Sequence, residues 1–376
     1  MPKAPHVVAV VSLLVVVATA RCGTSSDAGT PAVDGGGADD ATATGADASS
    51  STALDAAKDA PTGTFGTGDA SLDAGRPDYE AWANWPMPNP SSLGLPNSQS
   101  YDTSVAGVVL DRVTNLEWQA TSAADLDTVA DALAYCQALV LDGKSDWRLP
   151  SRIELVSIYD STRLGPGFDP VFVISVRSAD ASNASTTQDA DFWTSSLDPT
   201  TKTSAWLGAI YWESLVLGET DSGNARCVRG GPAADVPPPA RYEVRADTVY
   251  DTGTRLTWQR DDSGVLIAWA DAPAYCASLH ADADAGDDWR LPSLNELQTI
   301  YDENGSLVES DAGTFTEFDI DLATFPSAKA DYYWSSASFD AKDKGAISFA
   351  PSFVDTVSLD DTPVTHPGKA FVRCVK

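Results

Sequence analysis

The chain is poor in histidine, in basic residues and in long apolar runs. Only three of its 376 residues are His, and 24 Lys and Arg stand against 54 Asp and Glu, for a net charge of −30. The scarcity of imidazole argues against His-rich metal centres and repeated histidine catalysis. A surface this negative repels phosphates, so we expect no nucleic-acid partner. With 43% hydrophobic residues and 11 Trp, the chain can still bury sizeable cores.

The longest apolar or small-residue run is Val7–Ala20, at the N-terminus. A run of this length after a weakly basic start is typical of a signal peptide, here residues 1–21, and is short for a membrane span. Cleavage of the A-x-A site after Ala20 would release a secreted chain. Alternatively, Cys22 resembles the lipidated cysteine of a bacterial lipoprotein, although Arg21 replaces the usual small residue. Both routes predict export, either to the cell envelope as an outer-membrane surface lipoprotein with a lipid anchor or by secretion.

Residues 22–95 are dominated by Ala, Asp, Gly, Ser and Thr. Such a segment buries too little apolar surface to offset the ordering of its backbone, which predicts a disordered tether. Its charges are nearly all acidic and keep it extended. Trp82 and Trp85, near its end, either dock onto the folded part or form a short binding motif.

From residue 101 onward the sequence repeats itself. The segment Asp-Trp-Arg-Leu-Pro-Ser occurs unchanged at 146–151 and 288–293, and Arg-Cys-Val occurs at 226–228 and 373–375. A nearly constant offset of 140 to 147 residues indicates two tandem domains, 101–230 and 242–376. The Pro-rich stretch 231–241 between them is typical of a semi-rigid linker.

The repeat also predicts how four of the five cysteines pair. Lipidation would account for Cys22, and each domain then contains one pair, Cys136 with Cys227 and Cys276 with Cys374. An exported protein favours disulfides over the alternative of free buried thiols.

Local patterns predict an α+β class. Leu-Pro-Ser-x-x-Glu-Leu predicts a short helix whose capping box joins Ser151 to Glu154, and a second that joins Ser293 to Glu296. A hairpin turn is expected at 111–115 and again at 251–253. We interpret the repeated Trp-Arg pairs as parts of the folding skeleton, with each Arg making paired hydrogen bonds.

The order of these motifs, from Thr-Asn-Leu-Glu-Trp through Asp-Trp-Arg-Leu-Pro-Ser-x-x-Glu-Leu to Arg-Cys-Val-Arg, resembles the Lcl C-terminal domain family of bacterial exported proteins and lipoproteins. The resemblance implies two tandem C-type lectin-like domains and surface adhesion or ligand binding. The chain lacks the Glu-Pro-Asn, Gln-Pro-Asp and Trp-Asn-Asp motifs of calcium-dependent lectins, so calcium-dependent sugar binding is not implied.

Side chains that differ between the two copies are the candidate ligand contacts, because the shared ones serve the fold. The aromatic candidates are Trp206, Tyr211, Trp212 and Trp269, with burial in the sheet as the alternative. Asp282, Asp284 and Asp287 form an acidic loop that could hold calcium, with a solvated loop as the alternative.

We expect a non-catalytic cell-surface protein that recognises a glycan or a surface protein and needs no cofactor. The chain has no Gly-x-Ser-x-Gly elbow, and the domain cysteines are assigned to disulfides. A self-associating structural component of the envelope is the alternative function, and a hydrolase is a third.

Overall fold

A computed structural model of the protein describes residues 82–163, 167–175, 191–197, 205–209, 214–218, 223–231, 241–279, 288–302, 306–309, 315–338, 343–348, 354–358 and 368–376. Both repeats lie in one compact unit within Gly66–Lys376. Within the described ranges, no helix is long and apolar enough to cross a membrane.

Helices are few and short, and strands dominate. The helices are α1 (Val129–Ala138), α2 (Arg152–Ser157), α3 (Ala272–Ala277) and α4 (Leu294–Leu297). The first repeat has β1 (Tyr101–Asp102), β2 (Val108–Asp111), β3 (Leu116–Gln119), β4 (Ala123–Leu126), β5 (Asp191–Leu197), β6 (Ala205–Ala209), β7 (Ser214–Gly218), β8 (Gly223–Ala225) and β9 (Val228–Gly230). The second has β10 (Tyr242–Val244), β11 (Thr248–Asp251), β12 (Thr257–Gln259), β13 (Ile267–Ala268), β14 (Ser306–Glu309), β15 (Phe315–Phe318), β16 (Tyr332–Ser338), β17 (Asp343–Ser348), β18 (Val354–Ser358) and β19 (Lys369–Ala370). The predicted α+β class is confirmed.

Near its start, each repeat has an antiparallel hairpin, β2–β3 or β11–β12, whose first strand also pairs with β1 or β10. A buried aspartate holds each turn: Asp111 accepts from the Val113 amide at 2.9 Å, and Asp251 accepts from the Gly253 amide at 2.9 Å. The turn ends at a residue with positive φ, Asn115 at 60° and Arg255 at 65°. The predicted hairpins are therefore present in both copies.

The capping boxes and both disulfides are confirmed. Ser151 accepts from the Glu154 amide and Glu154 from the Ser151 amide, and Ser293 and Glu296 do the same. The bond between Cys136 and Cys227 ties α1 to the segment before β9, and Cys276–Cys374 ties α3 to the C-terminal segment. Each helix has fewer than three full turns, so tertiary packing and these covalent links hold it in place.

The two repeats contribute to one eight-stranded sheet, in the order β16-β17-β18-β7-β6-β5-β8-β4. The repeats join where β18 pairs antiparallel with β7, at Val354 opposite Leu215. The registers of β6–β7 and β17–β18 make these two residues equivalent positions of the two copies. An approximate two-fold axis therefore passes between β7 and β18.

One hydrophobic core cluster crosses the boundary between the repeats and takes in the end of the predicted tether, and each repeat also has a core cluster of its own. Ala83, Trp85 and Met87 are buried in it with residues of both copies. Trp82 lies 4.1 Å from the guanidinium carbon of Arg241. The prediction of disorder is therefore wrong for 82–95, because these residues supply the apolar surface that the rest of the tether lacks.

We call residues 82–99 the strap. Residues 1–81, with the predicted signal peptide and Cys22, lie outside the described part.

Candidate functional site

The repeated Trp-Arg segment forms a structural ion pair in each copy. Arg148 donates to both carboxylate oxygens of Glu154, at 2.6 and 2.5 Å, and Arg290 donates to those of Glu296, at 2.7 and 2.8 Å. Both carboxylates are buried and also accept the amide of the capping serine, at 2.9 Å. This confirms the expected paired hydrogen bonds and gives the segment a role in the fold.

The arginine beside the second cysteine of each repeat is fully buried. Arg226 donates to the carbonyls of Gln119 and Ala120 at 2.8 and 2.7 Å and lies within 5.5 Å of the Phe168, Phe172 and Phe192 rings. Burial lowers the pKa of Arg226 to about 9, since a desolvated cation is costly. The aromatic faces and carbonyls offset part of that cost. No ligand could reach this guanidinium without opening the core.

The aromatic ligand candidates do not form one site. Trp206 is 1% exposed and packs edge-on against Tyr301, so its assignment as a ligand contact is corrected to a core role. Trp269 is half-buried, donates from Nε1 to the Ser335 carbonyl at 2.9 Å, and carries the Lys344 ammonium 4.5 Å from its ring centre. One ring face of Trp269 is thus already taken by a cation of the protein. Tyr211 and Trp212 lie outside the described residues.

The acidic calcium candidates Asp282, Asp284 and Asp287 also lie outside the described residues. In the part of the chain that is described, no group of three or more His, Cys, Asp or Glu side chains is placed to hold a metal. The corresponding loop of the first repeat is bound internally: Asp146 accepts from Arg229 at 2.7 and 2.9 Å, and Asp142 lies 3.3 Å from Lys144. The Arg229 hydrogen bonds lower the pKa of Asp146.

A shallow depression of about 90 Å³ lies over the first hairpin. Its lining combines carboxylates, an ammonium, a hydroxyl and aliphatic groups, from Asp102, Ser104, Val105, Val108, Leu110, Glu117, Asp142 and Lys144. Glu117 accepts from Arg229 at 2.6 Å and lies 3.5 Å from Lys144. The carboxylates that line the depression are therefore paired with cations, although the chain as a whole is strongly acidic.

Sequence reasoning missed this depression because its walls come from three separate places in the chain, at residues 102–110, 117 and 142–144. A usable signal was present in the comparison of the two copies. The hairpins share most of their buried residues, with Val108 against Thr248 as an exception, but differ at half-buried ones, where Leu110 corresponds to Tyr250 and Glu117 to Thr257.

The shared framework agrees with comparison to known families. The Lcl C-terminal domain profile matches the chain twice, at residues 107–229 and 247–376, which together make up more than half of it. The chain belongs to the Lcl C-terminal domain family. No curated protein matches it. In the two Lcl C-terminal domains, the residues that carry the motifs are those that build the core, the capping boxes and the disulfides.

Proposed function

We propose that this protein is a non-catalytic binding or adhesion protein of the bacterial cell surface, which recognises a glycan or a surface protein. The observation that carries the proposal is the division between what the two Lcl C-terminal domains share and what differs. Shared side chains such as Arg226, Glu154 and the disulfide cysteines are buried, and their bonds are to other groups of the fold. Some differences, such as Glu117 against Thr257, are partly exposed, where selectivity for a ligand would arise, whereas others, such as that at Trp206, are buried between the repeats.

The depression over the first hairpin is the favoured contact point in this proposal. Its carboxylates are neutralised by Lys144, Arg229 and Arg112, so it should neither attract cations strongly nor repel neutral groups. Carboxylate oxygens, an ammonium and the Ser104 hydroxyl beside an aliphatic side chain suit the hydroxyl groups and apolar face of a neutral sugar. We therefore favour a neutral glycan.

We further propose that each domain has the C-type lectin-like fold and that the chain is exported. The first suggestion is supported by the long-range disulfide from a helix to the closing segment of each domain. Export is supported by the predicted signal peptide and by disulfide use, which suits an oxidising compartment. Lipidation at Cys22 and cleavage after Ala20 are distinguishable by the intact mass of the exported chain.

Screening the full chain on a glycan array, with and without calcium, tests the proposal. Val105→Trp would fill the depression, whereas Val265→Trp adds the same side chain at an exposed position of the second domain. We expect neutral-glycan binding that falls about tenfold or more with Val105→Trp and is unchanged by Val265→Trp. Binding that survives Val105→Trp refutes the location. If no glycan on the array is bound and the molar mass of the protein in light scattering rises with its concentration, self-association is favoured instead.

A further inference from the structure

The two repeats meet along a seam whose backbone is nearly two-fold symmetric but whose side chains are not. The shared capping boxes align α2 with α4, so that Arg152 corresponds to Leu294 and Val156 to Gln298. The strand registers likewise align Trp206 with Gly345. At these positions, the two halves of the seam therefore carry different residue types.

One half of the seam is polar and aromatic. Arg152 donates from Nη1 to Oε1 of Gln298 at 2.5 Å and from Nη2 to the Gln298 carbonyl at 3.3 Å. Its guanidinium lies 4.9 Å from the ring of Tyr301, which packs edge-on against Trp206 at 5.4 Å. All four side chains are buried. Charge, hydrogen bonding and aromatic contact thus coincide at one place between the repeats.

The counterpart half has neither the guanidinium nor the indole of the first. Leu294, Val156 and Tyr159 are buried in the shared core there, and Gly345 takes the place of Trp206. A Cβ on Gly345 would lie 2.7 Å from Oγ of Ser335 and 3.7 Å from Cδ1 of Leu294. This half therefore has no room for the large side chain that its partner half requires.

A second polar difference lies beside the first. Asn295 donates from Nδ2 to the carbonyls of Val156 and Tyr159 in the first repeat, at 3.2 and 3.0 Å, and to the strap carbonyl of Pro88, at 3.1 Å. Its counterpart is Ile153, a buried side chain with no donor. A first repeat that faced another first repeat would place Ile153 at this position and leave these carbonyls without the donor.

We infer that the seam is a specificity surface that pairs a first repeat with a second repeat and rejects like pairs. Applying the two-fold relation to two first repeats would set Arg152 against Val156 and Ile153 against carbonyls that have lost their donor. Two second repeats would set Gln298 against Leu294. Because a buried polar group without a partner costs more than its bond contributes, both like pairs are disfavoured. The partner that fits each seam face is the other repeat, not a copy of itself.

Cutting the folded protein between the repeats tests this pairing. A protease recognition sequence is inserted after Ala233 of the full chain, the Cys22 thiol is blocked, and the cut protein is mixed with an isotope-labelled cut sample before native mass spectrometry. We expect the two products only as one-to-one pairs. Like pairs at comparable abundance, or products that separate into monomers, would overturn the inference.

A double-mutant cycle on the uncut full chain tests the polar half directly. Arg152→Leu and Gln298→Val each copy the residue of the other repeat, and each should raise the unfolding equilibrium constant about 10–100-fold, because a charge-assisted bond is lost in a buried place. The double variant restores an apolar pair, and its stability should fall less than that of either single variant. Arg112→Leu, which removes an exposed ion pair with Asp102, is the control and should change the constant less than about fivefold. Effects that simply multiply would overturn the inference.

Discussion

The ion pair of each capping box yields a prediction about which partner matters more. In the first repeat the Glu154 side chain is 0% exposed, whereas the Arg148 side chain is 42% exposed. Removing the arginine charge with Arg148→Met leaves a buried carboxylate that keeps the Ser151 amide but no cation. Removing the carboxylate charge with Glu154→Gln leaves an arginine that can turn into water.

The expected magnitudes follow from these two environments. Breaking a buried charge pair by removing one partner costs about 3–5 kcal/mol. We expect Arg148→Met to cost about 3 kcal/mol, at the low end, because the serine amide remains a donor to Glu154. Glu154→Gln should cost about 1.5–2 kcal/mol, the lower part of the range for a hydrogen bond to a charged group, because the freed arginine becomes solvated. Each value is a decrease in the free energy of unfolding.

The second repeat supplies a matched control within the same chain. Glu296 accepts a further hydrogen bond from Asn89 of the strap, at 3.1 Å. Its carboxylate therefore keeps two donors after Arg290→Met, and we expect that variant to cost about 1 kcal/mol less than Arg148→Met.

Urea denaturation followed by fluorescence measures all three variants, with the midpoints compared at constant slope. The reasoning is refuted if Glu154→Gln destabilises more than Arg148→Met. It is also refuted if Arg290→Met costs as much as Arg148→Met, since the extra donor from the strap would then contribute nothing.

Two further predictions concern the strap and the hairpin turns. Trp85→Ala should destabilise the protein by about 3–5 kcal/mol, because it leaves a cavity at a buried site. Trp82→Ala removes a half-buried ring and should destabilise the protein clearly less. Equal denaturation midpoints for the two variants would contradict the packing of the strap. Arg255→Asn should raise stability by about 0.5–1 kcal/mol, because Asn tolerates the positive φ that Arg255 adopts. The reciprocal Asn115→Arg should lower stability by a similar amount, and thermal unfolding that moves the other way in either variant would contradict the turn assignment.

Much of the architecture could be predicted because its signals are local or doubled. A capping box spans four residues, so Ser151 and Glu154 identify a helix start without any knowledge of the fold. Duplication then reduced the cysteine pairing to one pair per repeat and separated framework residues such as Arg226 from variable ones such as Trp206.

Other features depended on contacts between distant residues. Composition predicted that Trp85 belongs to the disordered tether, but its indole packs in a core cluster formed by residues of both repeats. Trp206 differs between the copies, which predicted ligand contact, yet it differs because it fills one half of an asymmetric seam. Variation between copies can serve their mutual packing as well as ligand binding, and periodicity cannot separate the two.

The family, the duplication, the α+β class, the disulfides and the capping boxes were predictable because each depends on residue type at short or repeated spacing. The core cluster and the sheet that the two repeats share, the strap that packs into this cluster and the depression over the first hairpin emerged only in the folded protein. Burial and pairing of side chains far apart in the chain depend on three-dimensional complementarity, which a linear pattern does not encode.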